Sequence, residues 1–538
     1  MAGDSEFFQQ LARIVGEGNV AADEAVRTRL SRTTAPNGTK PLGVVYPTTR
    51  EHVQQIVLAA TRFSVPVFPI SRGKNWGYGD ACAPHDDALI IDLSRMNRIV
   101  EINPELAYAV IEPGVSQGQL LDHIERQGLP LMFDATGAGP DASIVGNTIE
   151  RGSGHTPYGD HFATSCNYEV VLPDGSLLQT GFGAYANAQA QHVYKWGIGP
   201  SLDGLFTQSN LGIVTRMTIW LMPKPEVFAM FIIALRTRES VGPFFDVIRK
   251  LRMAGTVRST VHCFNQGRLL AAATRFPWER ASGRQALEVE NAALYQELCR
   301  KYALPQWGAT GSLTGTRSEV KGAARAVRAA LGNLPNVERL VVLTDRTLLR
   351  AQQVAQLLMP ILPNLSLLKR IDTLRLGMDL LKGRPSYETL KGAHWRARGS
   401  PGTDGDPVAT LSGLAWICPI LPMTAAAIQE VSSIGEATFH DYGFEYQATI
   451  TAINERALIA VLSISFDRSS PEECERARDC QALLLEKLLE RGYVPYRGPA
   501  SVVQSVWRRA PEYWPFLSSI KRSWDPTGVL APDRYLPG

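Results

Sequence analysis

The sequence predicts an α+β protein in two lobes, and three observations carry that expectation. Up to about residue 225 short apolar runs alternate with helical patterns, and from about 226 to 495 long helical stretches alternate with strand-like runs. The length, 538 residues, also exceeds what one hydrophobic core usually organises. In chain order, positions 50–60 have helical apolar spacing behind Pro47 and Thr48, and 65–70 follows as a strand. Apolar runs at 88–93, 107–111 and 169–172 are bounded by turn residues, the last by Pro173, Asp174 and Gly175. Beyond 226, positions 320–331 and 471–491 read as long helices and 339–343 and 457–465 as strands, the pattern of a sheet covered by helices. Pro223 and Pro225 end regular structure and place a lobe boundary at 220–225.

The most informative stretch is PISRGKNWGYG at 69–79, directly after the apolar run 65–68. Gly73, Gly77 and Gly79 permit positive φ and close backbone approach, so successive N–H groups can converge on a diphosphate. The spacing is neither GxGxxG nor GxxxxGK[ST], which turns the reading away from nicotinamide dinucleotides and nucleoside triphosphates and towards a flavin.

The 55 Lys and Arg nearly balance the 52 Asp and Glu, so nothing indicates a nucleic-acid groove or a basic membrane face, and the expected partners are small molecules. Seven cysteines, at 82, 166, 263, 299, 418, 474 and 480, form no CxxC pair and no dense framework. Scattered buried thiols in a reducing compartment are expected, and no metal site. The N-terminus has neither a basic nor an apolar leader region and no apolar stretch reaches membrane-spanning length, so a soluble, cytoplasmic protein is expected.

Four blocks carry a resemblance: the loop 69–79, GNTIERGSGHTPYGDH at 146–161, GPSLDGLFTQSNLGIVT at 199–215 and DPTGVLAP at 525–532. Together, and in this order, they resemble the vanillyl-alcohol oxidase and p-cresol methylhydroxylase flavoprotein family, in its 4-hydroxybenzylic branch. The likeness spans most of the chain, strongest before 225 and after 490 and weakest from 235 to 400. It implies a two-domain FAD-binding fold, with an FAD domain built from 1–225 and 496–538 around an α/β cap domain at 226–495. It also implies that FAD lies along Pro69, Ser71, Arg72, Gly73, Lys74, Asn75, Trp76 and Gly77, then Gly146, Asn147, Gly212, Ile213 and Val214. Any one of these glycines alone would be read as a turn.

The family binds its substrate as a phenolate between two tyrosines and an arginine, and the matching positions here are Tyr78, Tyr496 and Arg497. A phenol with a pKa near 10 is a poor electron donor, whereas its anion pushes charge to the para carbon as hydride leaves. Arg497 would supply the permanent charge and the tyrosines charge-assisted hydrogen bonds.

Departures from the family sharpen the reading. Leu414 stands where the alcohol oxidase bonds its flavin through histidine, and the loop at Lys74 and Asn75 lacks the histidine of other branches, so dissociable FAD is predicted. The two positions for a carboxylate beside the reacting carbon hold Ala138 and Thr449. Asp141, in a loop one residue longer than the family's, is a candidate replacement, with a solvated turn aspartate as the favoured alternative. A histidine pair of the cap is replaced by Leu458 and Ile459, and His155 stands in place of a pocket tyrosine. His155 reads either as a proton acceptor titrating near neutrality or as a structural histidine. Trp416 reads as an apolar wall or as core, and Cys418 as a buried core residue.

The resulting expectation is an FAD-dependent enzyme removing hydride from the carbon para to the hydroxyl of a phenol, by alcohol oxidation or side-chain desaturation. Gly137, beside the expected flavin edge, leaves room for dioxygen and favours an oxidase, with a cytochrome-linked dehydrogenase or hydroxylase as the alternative. A flavin-binding scaffold that has lost catalysis is the reading from another class. Relatives imply a homo-oligomer.

Overall fold

The computed structural model describes residues 2–358, 365–399 and 405–536. Helix Arg50–Phe63 begins where the Thr49 hydroxyl accepts the His52 N–H at 3.2 Å, and it buries Val53, Ile56, Val57 and Ala60. It ends at Ser64 in the left-handed conformation, and the Val65 N–H turns back to the Ala60 carbonyl at 3.0 Å. The strand expected from 65 therefore starts only at Val67. Strand Val67–Ile70 runs parallel to Leu89–Asp92, which runs parallel to Gly43–Val45. The glycine loop leaves the C-terminal end of Val67–Ile70, where open parallel sheets place their ligands.

A five-stranded antiparallel sheet follows, in the order Ile99–Asn103, Tyr108–Ile111, Ile213–Trp220, Ser165–Val171, Leu177–Gln179. Ala107 has φ +52°, so the second of these begins one residue later than its apolar run. The chain's C-terminal segment returns to the first lobe: Val67 donates to the Val529 carbonyl and accepts from the Ala531 N–H, both at 2.8 Å. The DPTG turn is the clamp for this return. Asp525 accepts the Leu530 N–H at 2.9 Å and the Lys521 ammonium at 2.6 Å, and Lys521 also donates to the carbonyls of Asn210 and Leu530. A buried ion pair is tolerated when its remaining polar valences are filled in this way.

Residues 227–467 supply an eight-stranded antiparallel sheet in the order Val337–Thr344, Val227–Leu235, Trp307–Gly315, Val261–Asn265, Ala448–Ala452, Ala457–Asp467, Ser412–Ile417, with Ile420–Pro422 also pairing to Ala457–Asp467. Successive strand residues face opposite sides. One face carries Ala415, Ile417, Ile450, Ala460, Leu462 and Ile464, all buried in one cluster with residues of helices Ala425–Asp441 and Pro471–Glu490. At roughly 1.5–3 kcal/mol for each fully buried large aliphatic side chain, this face holds the helices down. Helix Pro471–Glu490 opens on a Ser470 cap with proline in its first turn, and helix Arg317–Gly332 opens on a Thr316/Glu319 capping box, three residues before the apolar pattern begins.

The other face points to the first lobe, and its register fixes what it presents. His262, Thr451 and Ile459 form one cross-strand row, Phe264, Thr449 and Val461 the next, and Trp416 and Leu414 lie opposite Ser463 and Ser465.

Candidate active site

The loop after Val67–Ile70 lines an internal cavity with Pro69, Ser71, Arg72, Gly73, Lys74 and Asn75, facing Gly146, Asn147, Gly212, Ile213 and Val214. Trp76 and Gly77 lie outside its wall. Trp76 packs against Leu390, Ala393 and Leu414, and Gly77 lies under the Trp416 ring, where a Cβ would come within 3.0 Å of the indole. Among the described residues no backbone N–H from Ser71 to Trp76 has a protein acceptor, a row of donors suited to a diphosphate. Gly73 and Gly77 take φ of +65° and +75°, which this turn requires. Gly146 touches the loop closely enough that a Cβ would sit 2.9 Å from Ser71 Oγ. Arg72 braces the loop by donating to the carbonyls of Asp141 at 2.6 Å and Gly114 at 3.2 Å, and Lys74 pairs with Asp406 at 2.8 Å.

Residues invisible as a motif tie this loop to the cap sheet. The Thr34 hydroxyl accepts the Gly77 N–H at 3.0 Å, and the Thr34 carbonyl accepts the Leu414 N–H at 2.9 Å. Asp80 accepts from the hydroxyls of Thr33 at 2.7 Å and Thr34 at 2.9 Å. Burial pushes the Asp80 carboxyl up to about 6, against the pull of those donors.

Tyr78, Tyr496 and Arg497 come together. The Arg497 guanidinium carbon lies 4.1 Å from the centroid of the Tyr78 ring, and Tyr496 packs against the cluster of Tyr78, Cys418 and Ile459. The Tyr78 hydroxyl is 3.0 Å from Cys418 Sγ, and the Cys418 carbonyl accepts the Tyr496 N–H at 3.1 Å, so one residue fixes both tyrosines. Burial raises Tyr78 well above its ordinary value, reinforced by Cys418 and Tyr496 and opposed by Arg497. Burial likewise raises Tyr496. Burial also works against the Arg497 charge, but the two phenolic groups and Glu150 outweigh it and raise its pKa. The site thus holds two neutral hydroxyls beside one fixed cation. Arg497 donates to Asn75 of the loop and lies 3.7 Å from Glu150, which Arg534 engages through both carboxylate oxygens at 2.9 Å. Arg497 Nε and Trp416 Nε1 are buried without a hydrogen-bond partner among the described residues. The Trp416 and Tyr78 rings meet edge to face at 5.1 Å, which makes Trp416 a wall of this end.

His155 is held differently from what its sequence position implies. Its Nδ1 lies 2.8 Å from Nε2 of His262 on strand Val261–Asn265, and His262 Nδ1 lies 2.9 Å from the Thr451 hydroxyl. Burial pulls His155 down to about 4 and His262 well below its ordinary value, so both imidazoles are neutral at pH 7 and titration near neutrality does not hold. Behind them, Asp134 accepts the backbone N–H groups of His155 at 3.0 Å and Thr156 at 2.7 Å, and pairs with His161 at 2.6 Å. His161 Nδ1 in turn lies 2.6 Å from Asn147 Oδ1 of the cavity wall. The GSGH spacing follows from this packing: a Cβ at Gly152 would collide with Asn147, and one at Gly154 with Asp134.

Ala138 packs beside Trp76 and Leu390, and Thr449 is buried on the site-facing row between Phe264 and Val461. Asp141 is turned outward, bonded to the Tyr387 hydroxyl at 2.8 Å with a half-exposed side chain, as a solvated turn residue is. Leu458 lies in the cap core, and Ile459 touches Tyr78 and Cys418. Leu414 is buried against Trp76 and Leu390. The Gly137 carbonyl accepts the Thr389 hydroxyl at 2.8 Å. Five of the seven cysteines are buried, while Cys82 and Cys474 are partly exposed.

A family model described as an FAD binding domain matches residues 41–181. The chain is 35% identical over 524 residues to 1'-carboxy-chondrochloren decarboxylase of Chondromyces crocatus, covering 97% of this chain and 95% of that protein. It is 30% identical over 540 residues to the 4-cresol dehydrogenase [hydroxylating] flavoprotein subunit of Pseudomonas putida, covering 98% and 94%. The solved 4-ethylphenol oxidase of Gulosibacter chungangensis, in complex with isoeugenol, superposes with a TM-score of 0.87 at 25% identity, covering all of this chain and 98% of that one. Fold, cavity and relatives define an FAD-dependent oxidoreductase. The chain belongs to the vanillyl-alcohol oxidase and p-cresol methylhydroxylase flavoprotein family. Among the described residues no helix is long and apolar enough to cross a membrane.

Proposed function

We propose that the protein oxidises a para-substituted phenol, removing hydride from the carbon para to its hydroxyl. The observation that carries this reading is the convergence of Tyr78, Tyr496 and Arg497 around one buried cation. A phenolate gains there a permanent positive charge and two hydroxyl donors, in surroundings where each counts for more than in water. Bound FAD supplies the hydride acceptor. Arg497 and the tyrosines hold the guest's oxygen as the anion, and Trp416 and Ile459 close the apolar wall beside it. What remains of the guest after hydride loss is a neutral quinone methide, whose fate depends on the para substituent. An alcohol or an alkyl chain must then release a proton. We assign that proton to His155, whose Nε2 has no partner among the described residues while His262 occupies Nδ1. Dioxygen is the proposed electron acceptor, and FAD is proposed to be held without a covalent bond, because Leu414 has no nucleophilic atom. Anaerobic mixing with 4-ethylphenol or vanillyl alcohol should bleach the flavin; an unchanged spectrum with every para-substituted phenol would remove the reading.

A second reading is favoured by the decarboxylase relative and by the absence of a carboxylate from the two site-facing rows of the cap sheet. A phenol bearing a carboxylate one carbon beyond the reacting carbon needs no base. Once hydride has left, the C–CO2 bond breaks, its electron pair forms the side-chain double bond, and the ring returns to the phenolate. With 3-(4-hydroxyphenyl)propanoate this gives 4-vinylphenol and CO2, and product analysis separates it from the first reading.

A further inference from the structure

Arg268 is a guanidinium deep in the fold with no side-chain partner among the described residues. It lies in helix Gln266–Ala273, directly after the strand that presents His262 and Phe264 to the site. Among the described residues its side chain makes no hydrogen bond, ion pair or ring contact, and its Nη1 is buried and unsatisfied. The protein's other deep arginines differ. Arg396, fully buried, is bonded to Glu445, Glu473 and the carbonyls of Gly283 and Gly443, and Arg534 holds Glu150. An isolated buried charge costs several kcal/mol, and interior cations such as Arg396, Arg534, Arg252 and Lys195 each bond a carboxylate or a carbonyl, so a guanidinium without either is a candidate to receive a ligand.

A Cβ on Gly392 would lie 2.7 Å from Arg268 Nη1, so the guanidinium rests on the segment Tyr387–His394 at that glycine. The flanking Leu390 and Ala393 pack against Leu414, Trp76 and Trp416, and Thr389 bonds the Gly137 carbonyl. The charge therefore stands beside the segment that packs on Trp76, Leu414 and Trp416, in a different place from Arg497, which is bonded to Asn75 in the loop. Part of the Arg268 surface remains accessible despite its depth.

We propose that Arg268 binds a carboxylate carried by the para substituent of the phenolic substrate. The assignment rests on the phenol-oxidising reading above and names the class of phenol, one with an anionic tail. A planar fork of donors matches a carboxylate in two parallel hydrogen bonds. Arg268 is a positioning residue here: it orients the tail, while the electron sink created by hydride loss does the chemistry.

The test uses the FAD-loaded enzyme, wild type and Arg268→Gln, Arg268→Lys and Arg268→Met, with 4-ethylphenol as the neutral probe and 3-(4-hydroxyphenyl)propanoate as the anionic one. Binding is read from the flavin spectrum without oxygen. In Arg268→Gln the anionic probe should weaken by about thirtyfold or more while the neutral one changes little, and Arg268→Lys should recover part of the loss. Ligand-free Arg268→Met should unfold at no lower temperature than wild type, because no native pair is broken. Equal weakening of both probes, or a clear drop in the unfolding temperature of Arg268→Met, would overturn the assignment. Acetate perturbing the wild-type flavin but not that of Arg268→Gln would reassign the site to a free anion. If neither phenol binds wild type, the phenol reading itself fails and this assignment goes with it.

Discussion

The guanidinium carbon of Arg497 lies 4.1 Å from the centroid of the Tyr78 ring. The cation is therefore held by a π face on one side and by Asn75 on another, and cannot swing to solvent when a guest arrives.

Charge at this position should decide whether the guest is ionised. Arg497→Met is expected to lower the rate of flavin reduction by about a hundred- to a thousandfold, the range seen when a preorganised charge stabiliser is lost. Bound phenol should then show the ultraviolet spectrum of the neutral form at pH 7, where wild type should show the phenolate. A variant that still binds phenolate would place the stabilising charge elsewhere.

Cys418 acts on the same oxygen indirectly. Burial pushes its thiol up to about 12, so at neutral pH it is an S–H that can donate to the Tyr78 oxygen and leave the tyrosine O–H free for the guest. Cys418→Ser should keep phenol affinity within about threefold and Cys418→Val should lose about tenfold, a hydrogen bond's worth. The informative signal is the ionisation of the bound phenol, which should shift to higher pH in Cys418→Val and recover in Cys418→Ser.

His155 makes a prediction about acid stability. Its folded-state pKa, pulled down by burial to about 4, lies below the ordinary 6.5, so between those values the unfolded chain binds the extra proton. Its contribution is complete above pH 6.5 and is lost as pH falls towards 4, by up to about 3 kcal/mol. His155→Gln should therefore unfold less steeply with acid than wild type over that window in denaturant titrations. Parallel curves for the two proteins would show that the imidazole is not desolvated.

Much of the fold was legible because its signals are local. The Thr49 cap, the apolar spacing behind it and the glycines of 69–79 each act within a few residues, and two strands began later than their apolar runs where Ser64 and Ala107 took a left-handed backbone. The candidate site was legible where a residue sits in a spaced motif, as Tyr78 and the Tyr496–Arg497 pair do. It was illegible where a partner comes from distant chain. His262 meets His155 across 107 positions and Cys418 meets Tyr78 across 340, and neither carries a local pattern. Arg268, in a short helix, belongs to no spaced motif, and its want of a side-chain partner among the described residues distinguishes it in three dimensions.

Flavin binding should be strong but dissociable. Leu414, buried against Trp76, offers no atom for a covalent bond, so acid precipitation should leave the yellow colour in the supernatant. Gly146→Ala should then weaken FAD measurably, because the new methyl would sit 2.9 Å from Ser71 Oγ at the cavity wall. Overpacking of this kind costs about 1–3 kcal/mol, so flavin affinity should fall by about five- to a hundredfold, read by titrating the apoprotein. A yellow pellet, or unchanged affinity in Gly146→Ala, would contradict the proposed cradle.

Gly137→Ala tests the choice of electron acceptor, and its geometry makes the outcome readable. Among the described residues a Cβ added there would meet the Thr389 Cβ alone, at 3.7 Å, which is ordinary contact, so the variant should fold and bind FAD as wild type does. Phenol reduces the flavin before any acceptor is used, so the anaerobic reduction rate should also stay unchanged. If dioxygen reaches the flavin past this glycine, reoxidation in air should slow and hydrogen peroxide release should fall with it. An artificial one-electron acceptor would then restore turnover in the variant. Equal reoxidation rates in the two proteins would mean that oxygen takes another route, and slow reoxidation in both, relieved by a cytochrome, would make the enzyme a dehydrogenase.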